Sequence, residues 1–302
     1  MGRAKSEAAS AVAAIFPNWK SIHSTRMKQT SYQVVPFPKS RQPIVDYLAV
    51  AKNKHTVHAL IEVDVTQPRR FIREHKATTG ESLSFTAFVI TCLARAIDEN
   101  KYLHAYRASR NRLVLFDEVD VNTLVEHDIQ GQRIGTPYVI RAANTKTFLE
   151  IHHEIRTAQV EEAGAYKRID WYGWLPNFVG RLMWRVLGWD PHLRKKYTGT
   201  VCVTAVGMFG KGTGWGIPTT DYTLLVTLGG IAEKPGVVDG RIEIREYLSL
   251  TISVDHDIVD GAPAARFAQR LRELIENGDG LTDLHTASAQ NTAEVGIGET
   301  AR

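Results

Sequence analysis

The sequence is poor in cysteine and has no long apolar run. Its only two cysteines, Cys92 and Cys202, stand in apolar, periodic segments, which predicts two buried and unreactive thiols. They provide neither a disulfide framework nor a zinc-binding spacing, so we expect a cytoplasmic protein without a metal. No apolar run reaches the roughly 18 residues of a transmembrane helix. The Ala-rich N-terminus also lacks the apolar centre of a secretory signal.

Charge of one sign is not concentrated anywhere in the chain. The net charge is +4, but the lysines and arginines are scattered and form no basic block. We therefore expect no nucleic-acid partner and no membrane partner, whereas a single phosphorylated cofactor is compatible with this charge.

The apolar pattern divides the chain into three segments. Residues 1–35 are predicted to form a helix and a polar arm, residues 36–278 one domain, and residues 279–302 a flexible tail. In the domain, strand patterns interleave with amphipathic helix patterns, which predicts an α/β sandwich of sheet and helices. The clearest strand patterns cover 55–65 and 241–255, and the clearest helix patterns cover 68–79, 84–100 and a last helix that opens with Pro263.

One segment, "WYGWLPNFVGRLMWRVLGW" (171–189), holds four of the six tryptophans. Pro176 can open a helix there, and its apolar face comprises Leu175, Phe178, Val179, Leu182 and Val186. We expect this helix to be buried against the domain or a neighbouring subunit. A lid over an apolar acyl chain and a membrane-surface helix are the alternatives.

The stretch "TISVDHDIVDGAPAARF" (251–267) places His256 where an apolar strand ends and a helix begins. An imidazole held between two rigid elements is preorganised and ionises near neutral pH, which suits a general base for a thiol, alcohol or amine. Asp260 could orient the imidazole or bind an arginine, and Gly261 permits a close approach or a positive φ before the helix. The alternative is a solvated polar cluster without chemistry.

Acyl transfer also needs a hydrogen-bond donor for the developing oxyanion. In "VTAVGMFGKGTGWG" (203–216), Thr204 ends an apolar strand just before a glycine-rich loop and is the candidate for that donor. Alternatively, Thr204 is only a strand residue and the glycines only form turns.

Together these stretches resemble a known family. "DHDIVDG" followed by "APAARFAQRLRELIENG" resembles the C-terminal signature of the catalytic domain of the dihydrolipoyl acyltransferases of 2-oxo acid dehydrogenase complexes. "TAVGMFG" is similar to the family's Ser-x-x-Gly-Met-Phe-Gly loop, and "SRQPIVDYLAVAKNKHTVHALIEVDVT" is similar to its opening helix and first strand, so the resemblance covers about 38–278. It implies a chloramphenicol-acetyltransferase-like two-layer sandwich of a mixed β-sheet and helices, assembled as a trimer.

The resemblance implies a role for each matching residue. His256 would deprotonate the acceptor thiol, Thr204 would stabilise the oxyanion in place of the family's serine, and Asp260 would be a structural carboxylate paired with Arg41. Gly207 falls on the first glycine of the matching loop. The acyl group would pass from a thioester of coenzyme A, or of a lipoyl group on a partner protein, without a covalent acyl-enzyme, at a site shared between subunits.

The sequence departs from the family pattern in three ways. Asp257 stands where the family usually has arginine, which reverses a charge beside the base. The middle segment "GQRIGTPYVIRAANTK" differs from the family's, so the wall of the substrate channel is expected to differ. No lipoyl domain and no peripheral-subunit-binding domain are visible, which predicts a stand-alone form that does not carry acyl groups on its own swinging arm.

Two other functions stay open at this point. One is a non-catalytic oligomeric scaffold of the same fold, with Asp257 and the altered middle segment as signs of a decayed site. The other is a condensation-type acyltransferase that uses a carrier-protein thioester. Asp255 argues against it, because it stands where that class has a second histidine.

Overall fold

A computed structural model of the chain describes residues 32–129, 132–160, 172, 175–206 and 212–281. The chain divides into two compact units, residues 1–38 and 39–302. In the first unit, the described residues 32–38 have no regular secondary structure. The predicted N-terminal helix and most of the predicted tail lie outside the described residues, so the three-segment division stays a prediction.

Strands and helices alternate through the described part of 39–302. The strands are β1 (Thr56–Asp64), β2 (Tyr106–Ser109), β3 (Arg112–Val114), β4 (Val121–Ile129), β5 (Gln132–Ile140), β6 (Val201–Ala205), β7 (Leu224–Val238) and β8 (Arg241–Asp255). The helices are α1 (Gln42–Ala51), α2 (Thr66–Thr79), α3 (Phe85–Asp98), α4 (Phe148–Val160), α5 (Asn177–Trp189), α6 (Pro191–Thr198) and α7 (Gly261–Glu276). Short 3-10 turns cover Lys39–Arg41, Lys101–His104 and Ala143–Thr145.

Six of the strands form one mixed sheet in the order β1-β8-β7-β6-β4-β5. β6 runs parallel to both β4 and β7, and the other neighbouring pairs are antiparallel. β1 pairs with β8 only from Tyr247 to Asp255, whereas β7 and β8 pair with each other as far as Val238 and Arg241. The two long strands therefore continue past β1 as a hairpin. This architecture confirms the predicted α/β fold with a mixed sheet and helices.

β8 is buried on both of its faces near its C-terminal end. Leu250 and Ile252 lie in the main apolar core, together with residues of α3 and α7 such as Phe88 and Leu271. On the opposite face, Thr251 and the neighbouring serines of β8 are also buried. A strand with hydrogen-bonded neighbours on both sides and two buried faces is a rigid support for the loop that follows it.

The structure corrects the start of the last helix and adds a strand. α7 begins at Gly261, two residues before Pro263. The N–H groups of a first helical turn have no intrahelical partner, so proline is compatible with the third position as well as the first. The segment "QRIGTPYVI" forms β5, which the sequence pattern did not predict. Pro137 is tolerated there because β5 is an edge strand.

The Trp-rich segment is also corrected. Its helix, α5, packs on α1, and Trp184 stacks edge-on against Tyr47 with 5.2 Å between ring centroids. The predicted apolar face points elsewhere, because Phe178, Leu182 and Val186 are exposed. This face is therefore not buried within the chain, and its burial against a neighbouring subunit stays a prediction. Among the described residues, no helix is long and apolar enough to cross a membrane.

Candidate active site

Backbone hydrogen bonds fix the turn that carries His256. The His256 N–H donates to the carbonyl oxygen of His55 at 2.9 Å, which ties the residue after β8 to the residue before β1. The N–H groups of Ile258 and Val259 each donate to the carbonyl oxygen of Asp255 at 3.0 Å. The turn is therefore closed between a central strand and a helix, and the position of the imidazole is preorganised.

A buried ion pair stabilises the same turn. Asp255 is fully buried, and one of its oxygens accepts a hydrogen bond from Lys54 Nζ. Its other oxygen accepts the N–H of Asp257 at 3.2 Å. Sequence reasoning missed Lys54 and His55, which lie about two hundred positions away from their partners. The antiparallel pairing of β1 with β8 is the signal that could have found them, since it brings the start of β1 to the end of β8.

The structure brings His256 and Asp260 together, but loosely. The imidazole of His256 is about half exposed, and its Nδ1 lies 3.9 Å from Asp260 Oδ1. That separation allows electrostatic attraction but is too long for a hydrogen bond. Asp260 is largely exposed and precedes α7 without capping it through its side chain.

Neither reason proposed for Gly261 applies within one chain. Its φ is not positive, and a Cβ placed on it would meet no atom within 4 Å. Gly261 therefore borders open space at the start of α7. A close approach at this glycine would have to come from a bound molecule or another subunit.

Asp257 lies among cationic groups. Its Oδ1 lies 2.9 Å from His55 Nδ1, and its Oδ2 lies 3.9 Å from a terminal nitrogen of Arg107. The hydrogen bond from His55 holds the pKa of the Asp257 carboxyl below its usual value, with smaller contributions from the charges of His55, Lys54 and Arg107 against a small desolvation effect. The negative charge that replaces the family's arginine is thus balanced locally by the start of β1 and by β2.

Arg41 is not placed beside Asp260. It is exposed at the start of α1, and in the described part of the chain no ion pair joins it to Asp260. Their pairing stays a prediction that would require a second subunit.

Thr204 lies near the end of β6, half buried and directly opposite Thr227 of β7. Gly207, in the loop that follows, lies outside the described residues. From Gly212 the chain returns against β7, where the Gly230 N–H donates to the Gly214 carbonyl oxygen at 3.0 Å. A side chain at Gly229 would overlap that same carbonyl, so glycine is required for the close approach of this loop to the bulge in β7.

The sheet separates Thr204 from His256 within one chain. Thr204 pairs with Thr227, and Thr227 pairs with Thr251, so two strand spacings of about 4.8 Å lie between β6 and β8. His256, just past the end of β8, lies five residues beyond Thr251, at about 3.3 Å per residue. The two Cα atoms are therefore about 19 Å apart, which is too far for both side chains to contact one substrate carbonyl.

A second cluster of ionisable groups lies at the start of α3. Glu81, His152 and His153 place potential ligand atoms within 4.8 Å of one another. However, the Ser84 N–H donates to His152 Nδ1 at 3.1 Å, so the ring proton lies on Nε2, 3.3 Å from Glu81. That nitrogen has no lone pair to offer a metal ion. In this cluster His152 is buried and supports the N-terminus of α3 through its hydrogen bond from Ser84, whereas Glu81 and His153 are exposed.

Comparison with known sequences assigns the family. A family model described as "2-oxoacid dehydrogenases acyltransferase (catalytic domain)" matches residues 29–168 and 194–282. The chain belongs to this family. Residues 169–193 are not matched by the family model, and they include all of α5 and the start of α6.

Curated relatives align with most of this chain. The Bacillus subtilis lipoamide acyltransferase component of the branched-chain alpha-keto acid dehydrogenase complex is 25% identical over 232 residues, which cover 75% of this chain and 48% of the relative. The Mycoplasma genitalium dihydrolipoyllysine-residue acetyltransferase component of the pyruvate dehydrogenase complex is 26% identical over 206 residues, covering 68% and 46%. The chain spans about half the length of these relatives.

Solved structures of such proteins share the fold. The probable dihydrolipoamide acetyltransferase of Listeria monocytogenes superposes with a TM-score of 0.61 at 22% identity, covering 82% of this chain and 95% of that one. The dihydrolipoamide acetyltransferase of Azotobacter vinelandii superposes with a TM-score of 0.63 at 19% identity, covering 85% and 97%.

Proposed function

We propose that the chain is an acyltransferase that moves an acyl group between a thioester and an acceptor, with His256 as general base, Thr204 as oxyanion donor and no covalent acyl-enzyme. One observation carries the proposal. A half-exposed imidazole is fixed between a buried strand and a helix, in a chain that belongs to a family of acyltransferase catalytic domains.

Residue spacing supports the assignment. A serine, a histidine and an asparagine have been investigated in the catalytic mechanism of the Azotobacter vinelandii enzyme, where the serine precedes the histidine by 52 positions and the asparagine follows it by 4. Thr204 likewise precedes His256 by 52 positions, and Asp260 follows it by 4. The hydroxyl is kept in threonine, and a carboxylate replaces the amide.

The proposed reaction needs one base and one hydroxyl donor. His256 takes the proton of the acceptor thiol, and the resulting thiolate attacks the carbonyl carbon of the thioester. The Thr204 hydroxyl donates a hydrogen bond to the oxyanion of the tetrahedral intermediate. Collapse of that intermediate breaks the bond to the donor sulfur, and the departing thiolate receives the proton from His256. Asp260 and the balanced charge around Asp257 act on the imidazolium electrostatically.

The distance between Thr204 and His256 favours a site shared by two subunits. Each chain would supply the base of one site and the hydroxyl of the next, as in a homotrimer or a larger assembly. The β7–β8 hairpin supports this association, because Val237, Ile242 and Ile244 are largely exposed on it. A further solved structure with this fold, at 19% identity and a TM-score of 0.62, is described as the cubic core of the pyruvate dehydrogenase multienzyme complex.

Coenzyme A and a lipoyl group are the thiols that we propose as substrates. The relatives are components of pyruvate and branched-chain alpha-keto acid dehydrogenase complexes, and they are named for lipoamide or dihydrolipoyllysine. A lipoyl-bearing protein is therefore the proposed macromolecular partner.

The test of the base is transfer from a panel of acyl-coenzyme A thioesters to dihydrolipoamide, measured as release of free coenzyme A. His256→Ala should lower the rate by about 10²–10⁴. His153→Ala is the matched control because it removes an exposed histidine of α4 and should leave the rate unchanged. An unchanged rate in His256→Ala would exclude the mechanism.

Mixing of variants tests the shared site. Thr204→Val keeps the side-chain shape and removes the hydroxyl, and it should cost about 10²–10³ in rate, whereas Thr204→Ser should not. Co-expression of the His256→Ala and Thr204→Val chains should restore about a quarter of the wild-type rate, because some interfaces then combine an intact base with an intact hydroxyl. A mixture as inactive as its components would place both groups in one chain.

The two alternatives have distinct outcomes in the same experiments. A non-catalytic scaffold predicts a regular assembly that binds no coenzyme A by calorimetry and transfers no acyl group. A condensation-type enzyme would need a second base at Asp255, but that carboxylate is fully buried and bound by Lys54.

A further inference from the structure

The acyl-transfer proposal does not use the exposed apolar face of α5. Phe178 is 72% exposed, Leu182 53% and Trp189 69%, and Met183 and Val186 are also exposed. Phe178, Leu182, Val186 and Trp189 are spaced by three or four residues and therefore lie along one side of the helix, with Met183 at its edge. Apolar patches of this kind on soluble domains mark contacts with another molecule.

The opposite side of α5 fixes this orientation. A side chain at Gly180 would overlap the carboxylate of Asp46 and the hydroxyl of Tyr172, so α5 and α1 approach as closely as glycine allows. Arg181 Nε lies 3.6 Å from Asp46 Oδ1, and Trp184 packs on Tyr47. Rotating α5 to bury its apolar face would break these contacts. The apolar side chains are therefore held outward by the packing.

The charged residues of α5 itself are of one sign. No aspartate or glutamate occurs between Trp171 and Trp189, and Arg181 and Arg185 border the apolar side chains. Arg185 is exposed and has no ion-pair partner among the described residues. Lys196, on the following helix, is exposed as well. An apolar stripe with aromatic residues at both ends and arginines along its edge is typical of a helix that lies in a membrane interface.

The same charges disfavour a second copy of this chain as the occupant. A two-fold pairing of α5 with itself would bring Arg185 against its own equivalent, with no acidic residue on the helix to neutralise it. The family model also omits 169–193, so α5 is an addition to the common fold rather than one of its shared subunit contacts.

We propose that α5 binds the surface of an anionic lipid bilayer, with Phe178, Leu182 and Trp189 in the interface and Arg185 at the headgroups. The helix lies on the membrane and does not span it. This proposal revises the expectation of no membrane partner, and it is independent of the acyl-transfer proposal.

Vesicle sedimentation of the full chain tests this directly. The protein should bind vesicles of mixed phosphatidylcholine and phosphatidylglycerol, bind phosphatidylcholine alone weakly, and be released by high salt. Phe178→Ala and Trp189→Ala should each weaken partitioning by about tenfold, because each removes a large exposed apolar side chain. Leu113→Ala, on exposed β3, is the matched control and should bind as wild type.

Charge and fluorescence provide independent readouts. Arg185→Glu should weaken binding to anionic vesicles, whereas Arg185→Lys should retain it. Vesicles should shift tryptophan emission to the blue, and the shift should shrink in Trp189→Phe while binding persists. Absence of binding to anionic vesicles, or binding unchanged by the α5 variants, would refute the proposal. A loss of assembly mass in the Phe178→Ala/Trp189→Ala double variant, measured by light scattering, would also refute it by making α5 a subunit contact.

Discussion

Replacing Lys54 with methionine would leave the carboxylate of Asp255 buried without its cation. Asp255 is fully buried at the end of β8, and Lys54 is 26% exposed. Methionine keeps the apolar stem of the lysine and removes only the ammonium group. The variant therefore isolates the ion pair that stabilises the turn before His256.

The expected cost follows from the burial of the two groups. Removing one partner of a buried ion pair costs about 3–5 kcal/mol. Water reaches part of Lys54, and Asp255 keeps its hydrogen bond from the Asp257 N–H at 3.2 Å, so we expect about 3 kcal/mol, the lower end of that range. Because His256 follows Asp255 directly, a displaced turn should also lower kcat/KM for acyl transfer by at least about tenfold.

The assay is urea unfolding followed by circular dichroism, with acyl transfer measured on the same samples. Lys52→Met is the matched control, since Lys52 is exposed and its loss should change stability by no more than about 0.5 kcal/mol. Lys54→Met/Asp255→Asn should recover about 1–2 kcal/mol relative to Lys54→Met, because the neutral amide needs no counter-charge. If the two substitutions are simply additive, the ion pair does not stabilise the turn.

Three further predictions concern stability and reactivity. Burial lowers the pKa of His104 from 6.5 to about 4, so the unfolded chain binds this proton first and stability falls as the pH drops between those values. At about pH 5 the loss should be about 2 kcal/mol, and urea unfolding of His104→Asn should show a correspondingly weaker pH dependence; an equal dependence would contradict the assignment. Gly229→Ala should lower the free energy of unfolding by about 2 kcal/mol or more, because its Cβ overlaps the Gly214 carbonyl. Gly188→Ala, where a Cβ meets nothing within 4 Å, should leave that free energy unchanged or raise it in the same urea unfolding assay. Cys92 is fully buried, whereas Cys202 is only partly buried, so the prediction of a buried thiol is confirmed for Cys92 alone. Burial raises the pKa of Cys92 and raises that of Cys202 to about 12, so a thiol reagent at neutral pH should label the folded protein slowly at Cys202 and not at Cys92, and labelling of Cys92 before unfolding would contradict this.

Local patterns were sufficient to predict the strand, turn and helix around His256. Alternation along β8 and the amphipathic stripe of α7 are short-range signals, and both elements formed, although α7 begins two residues earlier than predicted. The support of that turn was not predictable in the same way. Lys54 and Asp255 are joined by the antiparallel pairing of β1 with β8, and no local pattern specifies a pair about two hundred positions apart.

α5 shows a different limit of sequence reasoning. Helical periodicity grouped five apolar residues on one side; Phe178, Leu182 and Val186 of that group are exposed together, whereas Leu175 and Val179 are partly buried. It could not determine which side contacts the domain. The side that packs on the domain is set by Gly180, because the absence of a side chain there allows α1 to approach closely. Likewise, β5 escaped prediction because Gly135 and Pro137 weaken a strand pattern that an edge position tolerates.

The separation of Thr204 and His256 along the sheet has a consequence for mixed populations of chains. If every site takes its base from one subunit and its hydroxyl from the next, a subunit lacking both groups disables the two sites that it borders. One such chain in a trimer would leave a single working site. A defective copy made alongside the intact protein would therefore act as a dominant inhibitor and would remove more activity than its share of the chains.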